Sequence, residues 1–128
     1  MFQPGEFVVY GSSGVFMRPA MTREQAQELI HEIPSIRAEI CTERNPTTLR
    51  VHYEASLQSH ECRRLISLIK GIRRKGEETV KKGRKMGQVD QRYRKKAENL
   101  LHGELAIALG MSQEEVAEYI RKTVEQAS

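Results

Sequence analysis

Tryptophan is absent from the 128 residues, and aromatic side chains make up only 5% of them. A groove that stacks the bases of a single strand needs aromatic faces, so that mode of nucleic-acid binding is disfavoured. Only two cysteines occur, Cys41 and Cys62. Two are too few for a disulfide framework, and free thiols in a reducing cytosol are expected. No stretch nears the roughly 20 apolar residues that a bilayer span requires. The start, MFQPGEFVVYG, lacks a basic opening followed by an apolar run, so no signal peptide is expected and the chain reads as cytoplasmic. His60 and Cys62, with Cys41 and His52 upstream, form one loose pair rather than the ordered double pair of a zinc site. His102 and Glu104 flank Gly103, but no nucleophile, phosphate loop or second carboxylate is suggested beside them. Neither a metal, a cofactor nor an enzymatic activity is expected.

What is plentiful is charge, and it is segregated. Lys and Arg number 21 against 17 Asp and Glu, a net +4. Residues 63–96 hold fourteen basic and three acidic side chains, Glu77, Glu78 and Asp90, a local +11; the remainder carries −7. Such separation sets up a field that draws polyanions. The residues interleaved with the cations are aliphatic, so contact with a duplex backbone is the better match than single-strand stacking. Phosphate contacts position a protein without reading bases, so weak sequence preference is expected.

Periodicity places the elements. FVVY (7–10) and VFMR (15–18) are strand candidates around the turn Gly11-Ser12-Ser13-Gly14, the pattern of a β-hairpin. Thr22 and Gln25 have capping-box spacing ahead of a helix to Ile33, which Pro34 breaks. Asn45-Pro46 reads as a second break, with Thr47 or Thr48 capping a helix to Gln58. Glu61 to about Lys75 is an amphipathic helix that Glu77, Glu78 and Val80 allow to extend by a turn or two, and a mobile basic loop follows between Gly83 and Gly87. The longest helix is expected from an Asp90 N-cap to a stop at Gly110, with Tyr93, Ala97, Leu101 and Leu105 in its apolar stripe. Ser112 and Glu115 open a last helix. The expected fold is mainly α, an antiparallel bundle of four to five helices with a short N-terminal β-hairpin.

Three runs carry a family resemblance: MFQPGEFVVYGSSGV, then VFMRPAMTREQAQELIHEIPSI, then YEASLQSHECRRLISLIKGIRRKGE through AENLLHGELAIALGMSQEEVAEYI. The chain resembles the CarD-type bacterial transcription regulators. That resemblance implies an N-terminal Tudor-like β-domain that grips the RNA polymerase β subunit, and a C-terminal helical domain that contacts promoter DNA at the upstream edge of the melted region. It implies stabilisation of the open complex and no catalysis. The strands between the first and last of that β-domain are missing, so the hairpin would be its remnant. Residues 1–20 are then a reduced polymerase-interacting element and 21–128 a helical DNA-binding domain. Phe7, Val9, Tyr10 and Arg18 would meet the polymerase. Where the family carries an inserting tryptophan, spacing to Tyr53 puts Leu49, and an aliphatic wedge is physically possible.

The residues expected to contact phosphates are Arg63, Arg64, Arg73, Arg74, Lys75, Lys85, Arg92, Lys95 and Lys96, with Leu49 as the wedge. Two other readings are an interaction module acting through the exposed hairpin edge, including a homodimer formed through it, and a truncated paralogue without polymerase binding.

Overall fold

The computed structural model describes the backbone of residues 7–10, 16–19, 21–59 and 61–127, with side chains for 21–59 and 61–126. Helix α1 spans Arg23–Glu32. Its capping box is reciprocal: Gln25 N–H donates to Thr22 Oγ1 at 3.1 Å and Thr22 N–H to Gln25 Oε1 at 2.9 Å. Pro34 turns the chain into the short 3₁₀ turn Ile33–Ser35. Helix α2, Pro46–Gln58, starts earlier than expected. Its cap is Asn45, whose Oδ1 accepts from Thr47 N–H at 2.9 Å and Thr48 N–H at 3.3 Å, and Pro46 takes the first helical position. Asn-Pro is here a start signal, because proline has no amide to leave unpaired there.

Helix α3 runs from Cys62 to Lys81, taking in the extension through Glu77, Glu78 and Val80. It closes with Gly83 in the left-handed conformation at φ 75°. Arg84 N–H donates to Thr79 O at 3.0 Å and Gly83 N–H to Val80 O at 2.9 Å, a Schellman closure. Helix α4 spans Gln88–Leu109. Asp90 therefore lies inside its first turn rather than at the cap, and the carbonyl that begins the ladder is Gly87's, which accepts from Gln91 N–H at 3.1 Å. Gly110 stops α4 at φ 66°, and the Ser112–Glu115 capping box opens helix α5, Gln113–Ala127.

One feature of the expected fold is corrected. Among the described residues from 21 onward there is no strand; five helices and one 3₁₀ turn account for the regular structure described there. Extended backbone pairing is confined to Phe7–Tyr10 and Phe16–Pro19, four residues on each side. A ribbon that small does not hold itself in water, and no third strand is described to make a Tudor-like sheet. A hairpin-fronted bundle is thus not the architecture. The chain divides into two compact units, Ile36–Asn99 and Met1–Ser35 with Leu100–Ser128, and α4 contributes residues to each.

Candidate nucleic-acid interface

The division into units sorts the charge more sharply than the linear sequence does. Residues 36–99 hold seventeen basic and eight acidic side chains, a net +9. The other unit holds four basic and nine acidic, a net −5. The cationic unit has a substantial interior to mount its charges on. Leu49, Tyr53 and Leu57 of α2, Leu65, Ile66, Leu68, Ile69 and Ile72 of α3, and Tyr93 and Ala97 of α4 are all buried.

Ion pairs decide which cations remain available to a partner. Asp90 is 6% exposed. Its carboxylate accepts from Tyr53 Oη at 2.5 Å and pairs with Lys75 Nζ at 3.1 Å. Burial, and then the bond to Asp90, drive the Tyr53 hydroxyl pKa well above the ordinary tyrosine range. Tyr93 Oη donates to Glu54 at 2.7 Å, and burial with that bond raises its pKa as well. Arg73 reaches Glu98 at 3.2 Å, and Arg94 lies 4.0 Å from the same carboxylate. Asp90 and Glu98, the two α4 carboxylates of this unit, are thus engaged by Lys75, Arg73 and Arg94.

Of the expected phosphate contacts, Arg63, Arg64, Arg73, Arg74, Lys85, Arg92, Lys95 and Lys96 are exposed. Arg63, Arg64, Arg73 and Arg74 ride on α3; Arg92, Lys95 and Lys96 ride on α4, with Lys95 opposite the buried Tyr93 and Ala97. Lys96 sits 5.0 Å from the centroid of the Tyr93 ring, a cation–π contact that restricts its arm. Two expectations are corrected. Lys75 is half-buried and bound to Asp90, so it serves the interior. Leu49 is 7% exposed and belongs to the core, because its α2 face is the one shared with Tyr53 and Leu57. Phe7, Val9, Tyr10 and Arg18 have side chains outside the described residues; only their backbone pairing is defined, with Val8 opposite Arg18 and Tyr10 opposite Phe16. His60 also lies outside the described residues.

Sequence reasoning missed a strap across α3. Segment 36–41 lies against the helix where Gly71 leaves room: a Cβ there would stand 1.9 Å from the Glu39 carbonyl oxygen. Glu39 N–H donates to Ser67 O at 3.0 Å, Ser67 Oγ to Arg37 O at 2.6 Å, and Lys70 Nζ to Ile36 O at 2.6 Å. Desolvation and then the nearby Arg74 charge lower the Lys70 pKa. His52 Nε2 lies 3.1 Å from Glu39 Oε1, on the α2 side of the strap. Gly71 inside an amphipathic helix was the one available signal, since glycine there is unfavourable unless something approaches closely.

The joint between α3 and α4 was also missed as structure. Thr79 Oγ1 donates to Lys75 O at 2.8 Å, and Gln91 Nε2 donates to Met86 O at 3.1 Å. Met86 lies over Gly76, where a Cβ would stand 2.1 Å from its terminal methyl. The expected mobile loop is a closed turn bearing Lys81, Lys82, Arg84 and Lys85, all exposed.

In the other unit, Glu104 is buried and His102 half-buried. An open depression of about 640 Å³ on α1 and α5 is lined by Glu24, Gln27, Glu28, His31, Glu32 and Tyr119. Among the described residues no group of His, Cys, Asp and Glu converges as a metal site, and no helix is long and apolar enough to cross a membrane. No family model matches the chain, and no curated protein or solved structure matches it either.

Proposed function

We propose that this chain is a transcription regulator whose 36–99 unit docks on the phosphate backbone of duplex promoter DNA. The observation that supports it is the net +9 of that unit, carried on exposed side chains of α3, α4 and their joint, while Asp90 and Glu98 are paired within the unit with Lys75 and Arg73. Few aromatics and no tryptophan favour a duplex backbone over a stacked single strand. Neutralising six or more phosphates weakens binding on the order of a thousandfold between 50 and 200 mM salt. A salt series on a duplex of arbitrary sequence measures this directly. Reversing Arg74, Arg92 and Lys95 to Glu together should lower affinity at least a hundredfold and flatten the salt slope by about three units. Unchanged affinity in that variant refutes the reading.

Contact with RNA polymerase and stabilisation of the open complex rest on the sequence resemblance alone. Co-purification of the polymerase with the tagged full chain tests them, and its failure alongside intact duplex binding would leave DNA docking as the whole activity.

A further inference from the structure

We propose that the α3–α4 joint is a fixed phosphate-docking point and that Met86, seated over Gly76, is the residue that positions it; this rests on the duplex-binding reading above.

Four cations, Lys81, Lys82, Arg84 and Lys85, fall within five residues, and all are exposed. On a floppy loop they would each lose conformational entropy on meeting a phosphate, and affinity would suffer accordingly. This loop is held at three places. At its start, the Schellman closure fixes Gly83 and Arg84 to Val80 and Thr79. At its end, Gly87 O begins the α4 ladder and Met86 O is held by the Gln91 side chain. Between them, the Met86 side chain enters the notch that Gly76 leaves on α3, touching the helix where any other residue would place a Cβ. The first tie uses Gly83 in the left-handed conformation and the second the Gln91 side chain. The third depends on one glycine and one methionine ten positions apart.

The chemistry of the notch suits this role. A thioether is flexible and polarisable and fills irregular gaps. Glycine in mid-helix is otherwise disfavoured. The joint also lies at the C-terminal end of α3, where the helix dipole favours cations in the folded protein without any ligand. That accounts for one or two of the four charges, since the effect is confined to the last turn; it does not account for Arg84 and Lys85 beyond the closure.

Gly76→Ala separates positioning from folding. The neighbour displaced is the free end of a flexible side chain rather than backbone, and alanine favours the helix. The full chain should therefore keep its helical circular dichroism. Exchange of the Gly83 and Arg84 amides, which donate to Val80 O and Thr79 O, should quicken, duplex affinity in about 100 mM salt should fall roughly five- to tenfold, and the salt slope should drop by about two contacts. Met86→Ala, which empties the notch without touching α3, should do the same, and Met86→Leu should restore most of the affinity. Faster amide exchange with unchanged affinity and slope would show that the joint is not a docking point. Unchanged exchange in both variants would show that Met86 does not position it. If the wild-type chain ignores duplex DNA even at low salt, the parent reading falls and this role falls with it; binding by the wild type that all three variants reproduce overturns the role alone.

Discussion

The two units solve the problem of an interior differently. Among the described residues of Met1–Ser35 with Leu100–Ser128 the buried set is aliphatic: Ala26, Leu29, Ile30, Ile33, Leu101, Leu105, Leu109 and Val116, with Glu104 the exception. In Ile36–Asn99 an aliphatic α3 face shares the interior with Ser56, Asp90 and two tyrosines that donate to carboxylates. A unit that displays many cations must keep its carboxylates from neutralising them indiscriminately. Tying Asp90 to Lys75 and Tyr53, and Glu98 to Arg73 and Arg94, confines neutralisation to chosen partners. The aliphatic unit leaves Glu24, Glu28, Glu114, Glu115, Glu118 and Glu125 on the surface and buries Glu104.

Removing Asp90 is the hardest test of that contrast. Asp90→Ala strands the Lys75 ammonium and the Tyr53 hydroxyl, and truncating one member of a buried pair costs about 3 kcal/mol. Urea unfolding measures it. A loss under about 1 kcal/mol would mean the network behaves as a surface ion pair, and the comparison would dissolve. Leu49→Ala should cost about 2.5 kcal/mol as a core truncation. Val51, 66% exposed on the same helix, should tolerate alanine within about 0.5 kcal/mol. Equal costs would put Leu49 back on the surface.

The glycines of α3 sharpen the comparison within one element. Gly71→Ala drives a Cβ into the Glu39 backbone, which has no room to yield, and should lose about 2 kcal/mol as overpacking does. Gly76→Ala displaces only a methionine end, so helix propensity of up to about 1 kcal/mol offsets most of the disturbance. Thermal melts of the two variants should therefore shift in clearly different degree. Identical shifts would show that neither glycine is there for its neighbour.

Much of this was legible without coordinates, for local reasons. The Thr22 and Ser112 capping boxes and the Gly110 stop are written in three or four adjacent residues each. Amphipathic spacing marked the buried face of α3 because its apolar residues recur every three or four positions. The failures are non-local. Asp90 suits an N-cap by residue type, and only the proximity of Tyr53, 37 positions away, and Lys75 pulls it inside. Leu49 matched a family position by spacing, but burial is decided by what packs against α2. The strap of 36–41 over Gly71 and the seat of Met86 over Gly76 depend on backbone approach, which residue identity records only as an unexplained glycine.

Alkaline pH offers the gentlest probe of the contrast between the units. Tyr53 and Tyr93 have their pKa values raised in the folded state, first by burial and then by the carboxylates they donate to. Their stabilisation is whole below the ordinary tyrosine value of 10.0. Above it the unfolded chain sheds protons that the folded one retains, so stability is lost as pH rises, by at most about 1.4 kcal/mol per pH unit for each tyrosine. Tyr53→Phe removes one of those protons from the balance and should flatten the alkaline arm of a stability profile from pH 9 to 11, while costing about 1 kcal/mol at neutrality through the lost bond to Asp90. Asp90 keeps Lys75 in that variant, so the fold survives. Wild type and variant falling with the same slope would place the alkaline loss elsewhere, in groups that the cationic interior does not use.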